Sequence, residues 1–223
     1  MAEQDPVTRN RLLNVAARLF AARGFKRVTV RDICRDAGAN VAAINYHFGD
    51  KEGLYTEVVR MAIQIMRETT EIAQALATGL PPDDRLRVYI RVFLERAVGG
   101  HAQDGWIHQI MMREMADPTP AIDLVAEQVV RPRLEYVATI VGEMLGRLPE
   151  DPLVRRCVLS VQAQIHAVMP NYMSKRLLEN LSDPTVLDEL ADHIARFSIA
   201  GVRAMIGMES QRRQTAGPIA QRM

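Results

Sequence analysis

The chain has 223 residues, of which 48% are hydrophobic and 25% are charged, and this balance excludes a disordered or collagen-like protein. Two cysteines, Cys34 and Cys157, are too few for a disulfide framework and lack metal-ligand spacing. The segment MAEQDPVTRNR contains no signal-peptide core, and no run of about 20 apolar residues is present to span a membrane. We therefore expect a soluble, cytoplasmic protein of one or two domains.

Charge is distributed unevenly along the chain. The formal net charge is only +1, but residues 1–51 contain nine Lys or Arg residues against five acidic ones. That segment therefore carries +4, and the remaining 172 residues sum to −3. A basic segment followed by a mildly acidic one predicts an anionic partner for the first segment.

Glycines and four Asp-Pro pairs separate segments of helix length. The Asp-Pro pairs favour helix starts, because Asp caps the helix N-terminus and Pro is well accepted at the first helical position. Strand patterns are nearly absent, so we predict an all-α fold of about nine helices. The predicted helices are 7–23, 29–36, 40–47, 51–77, 82–98, 103–116, 119–145, 152–180 and 184–208. Pro132 and Pro170 lie inside two of these segments and are expected to kink or break them.

Residues 29–48 predict a helix-turn-helix. Thr29 and Asp32 have the spacing of a capping box, Gly38 supplies a tight turn, and Asn40 caps the next helix. Two helices this short, joined by a turn containing glycine, form the unit that places its second helix in a DNA major groove. Val41, Ile44 and Phe48 are expected to face inward.

The outward positions of this unit are the candidate DNA contacts. Residues early in the second helix approach base edges, and a helix start such as that capped by Asp50 favours phosphates. The candidates are Thr29, Arg31, Ala42, Ala43, Asn45, Tyr46, His47 and Lys51.

The segment TVRDICRDAGANVAAINYHFGDKEGLY, with the preceding ARLFAARGF, resembles the DNA-binding domain of the TetR family of transcriptional regulators. The matching elements are Thr29, Ile33, Ala37-Gly38, His47-Phe48, Lys51-Glu52 and Leu54, and the resemblance covers residues 9–55. The family usually has Tyr where this chain has Asn45. Because Asn can pair bidentately with adenine, Asn45 is a candidate for reading a base.

Further along, WIHQIMMREMADPTP at residues 106–120 resembles the CecR-type branch of the same family. The resemblance implies a helical regulatory domain, dimerisation and control of genes that are often linked to efflux or small-molecule stress. We therefore expect a DNA-binding domain over 1–51, a regulatory and dimerisation domain over 52–209, and a flexible tail over 210–223.

The last predicted helix carries an apolar stripe that either packs within the chain or forms a dimer interface. In the second interpretation, which the resemblance favours, this helix and residues 152–178 pair with their copies in a four-helix bundle. The candidate interface residues are Leu187, Leu190, Ile194, Phe197, Gly201 and Met205. A dimer would place two recognition helices about 34–36 Å apart on a near-palindromic operator.

Twelve methionines, most of them beyond residue 60, either fill the core or form part of the lining of an adaptable cavity between helices. The candidate ligand-binding residues are Phe93, Trp106, Met112, Arg113, Tyr136, Gln162, His166 and Tyr172.

We expect no catalytic residues, no cofactor and no metal. The chain lacks GxSxG, Walker, GxGxxG and ExxH motifs, and four histidines, at 101, 108, 166 and 193, have no close pairing. Cys157 follows Arg155 and Arg156, which would lower its thiol pKa and allow redox sensing, although a buried inert thiol is the default interpretation.

Together these features predict a homodimeric, ligand-responsive DNA-binding transcriptional regulator of the TetR type that acts as a repressor. Its effector is an unidentified small molecule that shifts the long helix beginning at Lys51. The alternative is a helical adaptor that binds a protein partner through residues 29–48, and salt dependence separates the two because phosphate-dominated binding weakens steeply with ionic strength.

Overall fold

The computed structural model describes residues 6–98, 105–169, 174, 176, 178, 180, 181 and 183–215. Within these residues the regular elements are helical and no strand occurs, which confirms the all-α prediction. The elements are α1 (Pro6–Arg23), α2 (Val30–Ala37), α3 (Val41–Phe48), α4 (Lys51–Leu76), α5 (Pro82–Val98), α6 (Gly105–Ala116), α7 (Ala121–Val125), a π-helical turn (Ala126–Val130), α8 (Arg131–Leu145), α9 (Pro152–Ala167) and α10 (Pro184–Thr215). With α7, the π-helical turn and α8 taken as one run, the fully described helices number nine.

Two predicted helices differ from the observed ones by more than two residues in length. α9 ends at Ala167 instead of continuing to 180, because Pro170 lacks an N–H and its ring opposes continuation of the helix. α10 continues to Thr215, beyond the predicted end at 208 and into the predicted tail, because its last residues are good helix formers and the next glycine is Gly217. Residues 216–223 lie outside the described part.

Pro132 neither breaks nor ends its helix. It is the second residue of α8, directly after the π-helical turn Ala126–Val130. The wider turn accommodates the missing proline N–H without interrupting the helical run, so the predicted break becomes a local change of hydrogen-bonding register.

Asp-Pro pairs mark two of the helix starts as predicted. Asp151 accepts a hydrogen bond from the Leu153 N–H at 2.7 Å, and Asp183 accepts one from the Thr185 N–H at 2.8 Å. Asp117 does not cap a helix, because the next helix begins only at Ala121 and the Asp117 carboxylate pairs with Lys26.

The chain forms two compact units, which we name the head unit (residues 1–68 and 101–130) and the body unit (residues 69–100 and 131–223). In the head unit, α1, α2, α3, the first part of α4 and α6 enclose one apolar core. Its largest fully buried side chains are Leu12, Phe20, Ile33, Ile44, Leu54 and Ile110. Burial of each such side chain contributes about 1.5–3 kcal/mol.

The body unit has its own core, formed by α5, α8, α9 and α10. Tyr89, Leu86, Ile140 and Ile165 are fully buried there. The compact units follow a different division from the predicted domains, since residues 105–130 pack with the head unit instead of the body unit. None of the described helices is long and apolar enough to cross a membrane.

Candidate functional site

Local capping sets the geometry of the helix-turn-helix. The Thr29 hydroxyl accepts a hydrogen bond from the Asp32 N–H at 3.1 Å, and the Asp32 carboxylate accepts one from the Thr29 N–H at 3.1 Å. These bonds to Thr29 hold the pKa of Asp32 below its usual value. Gly38 ends α2 with φ +59°, a left-handed conformation that glycine adopts without a Cβ penalty. Asn40 then caps α3 by accepting from the Ala43 N–H at 2.9 Å.

α3 buries one face and presents the other to solvent. Ile44 and Phe48 pack into the head-unit core, whereas Ala42, Asn45 and Tyr46 are exposed. Val41 is 44% exposed, so its predicted inward position is wrong. By spacing it shares a helix face with Ile44 and Phe48, but it is the first residue of α3, where that face is only partly covered. The exposed face therefore offers an amide and a phenol hydroxyl on a helix of eight residues.

The start of α4 flanks this face. The Asp50 carboxylate accepts a hydrogen bond from the Gly53 N–H at 2.7 Å, which caps the helix as expected. The Lys51 ammonium lies 4.3 Å from the centroid of the Phe25 ring, a cation–π contact that positions its charge beside the helix start. The His47 ring is half-buried and stacks edge-on against Tyr46, with ring centroids 4.9 Å apart.

Charges on α2 are partly neutralised. Arg35 pairs with Asp32 and Asp36 at 3.0 and 3.1 Å, and these partners raise the pKa of its guanidinium. Arg31 is exposed and makes no ion pair with a described residue. Thr29, also exposed, commits its hydroxyl to Asp32, with a 2.6 Å separation of the two oxygens. Arg31 is thus the cation of α2 that remains available for an anionic partner.

A buried polar cluster joins α4 and α6 inside the head unit. Glu114 is only 1% exposed, and its carboxylate accepts hydrogen bonds from the Tyr55 hydroxyl and from the Thr119 N–H at 3.0 Å. Burial, together with this bond, raises the pKa of Tyr55 well above its usual value. The neighbouring Arg113 donates to the carbonyls of Ala21 and Ala22 at the end of α1, at 2.8 and 2.6 Å.

The eight predicted ligand-binding residues do not form one set. Trp106, Met112 and Arg113 belong to α6 of the head unit, where Trp106 packs against the core and Met112 is 49% exposed. Four others belong to the body unit, and they are Phe93, Tyr136, Gln162 and His166. Tyr172 lies outside the described residues.

The body-unit residues converge around an arginine that was not among the residues predicted from sequence. Arg133 of α8 is 7% exposed, and its guanidinium carbon lies 4.6 Å from the centroid of the Phe93 ring. Burial lowers the pKa of Arg133. A signal was present: Arg133 precedes the buried Val137 by four residues, which places both on one helix face. This signal was easy to overlook, because Arg131 and Arg133 on either side of Pro132 have the composition of an exposed, charged segment.

The predicted dimer stripe divides between two environments. Leu187 and Ile194 are 4% exposed in the core of their own chain, and Leu190 and Met205 pack against that core. For Leu187 and Ile194 the intramolecular interpretation therefore holds, because helical spacing alone cannot separate a core stripe from an interface stripe. Phe197, in contrast, is 63% exposed, and Gly201 is exposed with no atom within 4 Å of a Cβ placed on it.

An open apolar groove of about 310 Å³ lies between α9 and α10 within the body unit. Phe197 and Gly201 line it from α10, and Cys157 and Ser160 line it from α9. Leu159, on the same helix, is 64% exposed. Two large apolar side chains in solvent on adjacent helices favour a surface that another helix pair covers.

Neither cysteine has an activated thiol. Burial raises the pKa of Cys34, and it raises that of Cys157 against the opposing influence of Arg156. For Cys157 this agrees with the default interpretation of a buried inert thiol, because desolvation of the thiolate outweighs the neighbouring positive charge.

Comparison with known proteins places this geometry in a family. Residues 82–202, more than half of the chain, match the model of the C-terminal domain of the HTH-type transcriptional dual regulator CecR. Residues 12–58 match the model of the bacterial regulatory proteins of the tetR family. The chain belongs to the TetR family, in the branch with a CecR-type C-terminal domain. It is thus a helix-turn-helix, DNA-binding transcriptional regulator.

Similar proteins cover most of the chain. The transcriptional dual regulator CecR of Shigella flexneri is 28% identical over 191 residues, which cover 81% of this chain and 82% of that protein. The transcriptional repressor KstR2 of Mycolicibacterium smegmatis is 33% identical over 122 residues, 55% of this chain and 58% of that protein. The structure of AibR in complex with isovaleryl coenzyme A and operator DNA has a TM-score of 0.63 at 15% identity, covering 84% of this chain and 96% of that chain, and shows the same fold.

Proposed function

We propose that this regulator is a homodimeric repressor that binds a near-palindromic operator through α3 and is released by a small molecule bound in the body unit. The observation that carries the proposal is the exposed face of α3, with Asn45 and Tyr46 outward and Ile44 and Phe48 anchored in the core. A short helix fixed in this way presents the same side chains to a major groove in every encounter.

The contacts divide by chemistry. Asn45 carries an amide that matches the donor and acceptor of an adenine edge, so it reads sequence together with the small neighbours Ala42 and Ala43. Lys51 and the capped start of α4 favour phosphates, as do Arg31 and His47. Tyr46 and Thr29 lie beside these groups and complete the contact surface.

Dimerisation is proposed through the exposed part of the α9–α10 groove. Phe197 and Leu159 are the large apolar side chains that a second copy would cover, and Gly201 permits close helix approach. Leu187 and Ile194, which are buried within the chain, support that surface from behind. The test is sedimentation of Phe197→Asp, which we expect to be monomeric, with Phe197→Leu as the dimeric control.

Release by a ligand requires unequal affinity for the DNA-bound and released states. Coupling of about 1–3 kcal/mol would weaken operator binding about 5- to 150-fold. α4 extends in sequence from the head unit into the body unit, so a shift of this helix is the proposed route. The names of the relatives, a dual regulator and a repressor, support control of transcription in both senses, and operator position decides which one applies.

The deciding experiment is selection of bound sequences from random and genomic DNA by the wild type, Asn45→Ala and Lys51→Ala. We expect one near-palindrome for the wild type. Asn45→Ala should lose discrimination at one base position in each half-site, by about 1–3 kcal/mol, whereas Lys51→Ala should weaken all sequences alike and lower the salt slope by about 0.9 for each lost phosphate contact. Asn14→Ala, an exposed asparagine of α1, is the matched control.

Two results would contradict the proposal. Equal losses for Asn45→Ala on matched and base-substituted sites would show that this residue reads no base. Recovery of no sequence above background by a folded dimer would favour the adaptor alternative, in which residues 29–48 bind protein with weak dependence on salt.

A further inference from the structure

The body unit contains a buried cation that has no acidic partner among the described residues. Arg133 is 7% exposed, and no carboxylate of a described residue pairs with it. Its Nε makes no hydrogen bond within the described part of the chain. An arginine keeps its charge at any physiological pH, so burial cannot be relieved by loss of the proton. Burial of an unpaired charge is costly, and proteins accept that cost where the charge serves a function.

Other groups around Arg133 are also incompletely satisfied. Gln162 donates from Nε2 to the Tyr89 hydroxyl at 2.8 Å, but its Oε1 is buried and accepts no bond from a described group. The buried hydroxyl of Tyr136 likewise lacks a hydrogen bond of normal geometry, although Arg85 lies near it. A guanidinium donor and an amide acceptor that are both without a partner in the described part of the chain are rare in a core that serves packing alone.

Three helices bring these groups together. Tyr89 comes from α5, Arg133 and Tyr136 from α8, and Gln162 from α9. The Tyr89 ring lies 6.1 Å from that of Tyr136, so the polar groups are set among aromatic walls.

The remaining walls are aromatic as well. Phe93 packs against the guanidinium on one side and lies 6.1 Å from the His166 ring on the other, measured between ring centroids. His166 is exposed, so the cluster extends from the core to the surface of the body unit. Aromatic walls with a few converging polar groups are typical of small-molecule sites.

We infer that this cluster is the binding site for a small organic anion with an apolar body, whose carboxylate or phosphate pairs with Arg133. The guanidinium offers a planar fork that matches both anions bidentately. The apolar body lies against the aromatic walls, and Gln162 Oε1 accepts from a hydroxyl or amide of the ligand. This assignment rests on the proposed function in one respect, since it names the chemical class of the effector.

The first test needs no ligand. Arg133→Met keeps the length of the side chain and removes the unpaired charge, so we expect the melting temperature of the full-length protein to rise by about 2–10 °C. A lower melting temperature, or failure to fold, would show that the guanidinium is a structural group and overturn the inference. Arg131→Met, an exposed arginine on the same helix, is the control and should leave the melting temperature within about 2 °C.

The second test uses matched probes on the wild type. These are 3-phenylpropanoate, decanoate and phenyl phosphate, each against its neutral counterpart: 3-phenylpropanamide, decanamide and phenol. Calorimetry should find at least one anion bound about 10- to 100-fold more tightly than its neutral counterpart. Arg133→Lys, which replaces the planar fork with a single amine, should lose most of this preference while still unfolding cooperatively. Equal binding of anions and neutral counterparts would overturn the inference. Comparison of the carboxylate probes with phenyl phosphate shows which anionic group the site prefers.

Failure of this inference is distinguishable from failure of the proposed function. The binding assays contain no DNA, so a preference that depends on Arg133 supports the site even if no operator is found. When the bound anion is added to an operator complex, release from the wild type but not from Arg133→Lys supports the effector assignment. Binding without any effect on the complex would overturn that assignment and leave the site itself established.

Discussion

The hydrogen bond between Tyr55 and Glu114 should make a large contribution to the stability of the head unit. Tyr55 is 5% exposed and Glu114 is 1% exposed, so neither group regains water when its partner is removed. The carboxylate retains only the bonds from Thr119 once the hydroxyl is lost. A net contribution of about 1.5–3 kcal/mol is expected for a hydrogen bond to a charged group, so Tyr55→Phe should destabilise the unit by that amount.

The chain offers a local probe for this measurement. Trp106 is the one tryptophan in the sequence and packs against the head-unit core, so its fluorescence follows unfolding of that unit. At about 2–4 °C for each kcal/mol, Tyr55→Phe should lower the fluorescence melting temperature by about 3–12 °C. Tyr46→Phe removes a hydroxyl from a tyrosine that is 60% exposed and should change stability by less than about 0.5 kcal/mol.

A double-mutant cycle isolates the pair. Tyr55→Phe and Glu114→Gln, alone and combined, should show a coupling energy of about 1–2 kcal/mol in urea denaturation followed by Trp106 fluorescence. A coupling below about 0.3 kcal/mol, or equal losses for Tyr55→Phe and Tyr46→Phe, would refute this reasoning and place the stability of the contact in packing alone.

The raised pKa of Tyr55 also predicts a dependence on pH. The folded state keeps the phenol protonated, so its contribution is fully present below the ordinary tyrosine pKa of about 10 and declines as the pH rises above it. The stability advantage of the wild type over Tyr55→Phe should therefore shrink between about pH 10 and 11.5. A constant difference across this range would contradict the assigned shift.

Three further outcomes are expected. Gly38→Ala should destabilise the head unit by about 1–2 kcal/mol, because its φ of +59° is left-handed although the space around it is open. Gly105→Ala is the control: its surroundings are equally open and its φ is not left-handed, so this substitution should not destabilise the unit. Thr29→Ala should return the pKa of Asp32, followed by NMR, towards its ordinary value, and an unchanged pKa would reject the capping box as its cause. The Cys157 thiol should react with a disulfide reagent more slowly in the folded than in the unfolded protein, and fast labelling of the folded chain would restore the redox hypothesis.

Local rules were sufficient for most of the helices and for the exposed face of α3. The Asp-Pro pairs at 151 and 183 cap their helices as expected, and Gly38 and Asn40 delimit the turn. These features depend on residues within one or two turns of each other, so the order of residues specifies them directly. The exposed residues of α3 follow from the same periodicity, since the buried positions 44 and 48 leave 42, 45 and 46 on the other side.

Long-range packing decided what periodicity left open. The apolar residues of α10 have the same helical spacing whether they face the core of their own chain or another chain. The fold buries Leu187 and Ile194 and leaves Phe197 in solvent. Likewise, nothing local distinguishes Arg113, which holds the end of α1, from a ligand contact.

The amino-acid sequence by itself determined an all-helical chain with a helix-turn-helix over residues 29–48, because capping, turn and helix-face signals are all short-range, and the resemblance of that segment indicated the TetR family. Only the tertiary structure decided which polar side chains share a site. Arg133 and Gln162 are 29 residues apart, and on sequence alone an arginine is assigned to solvent because burying its charge is unfavourable. The packing of α5, α8 and α9 overrides that preference and buries Arg133, in the cluster that we propose as an anion site.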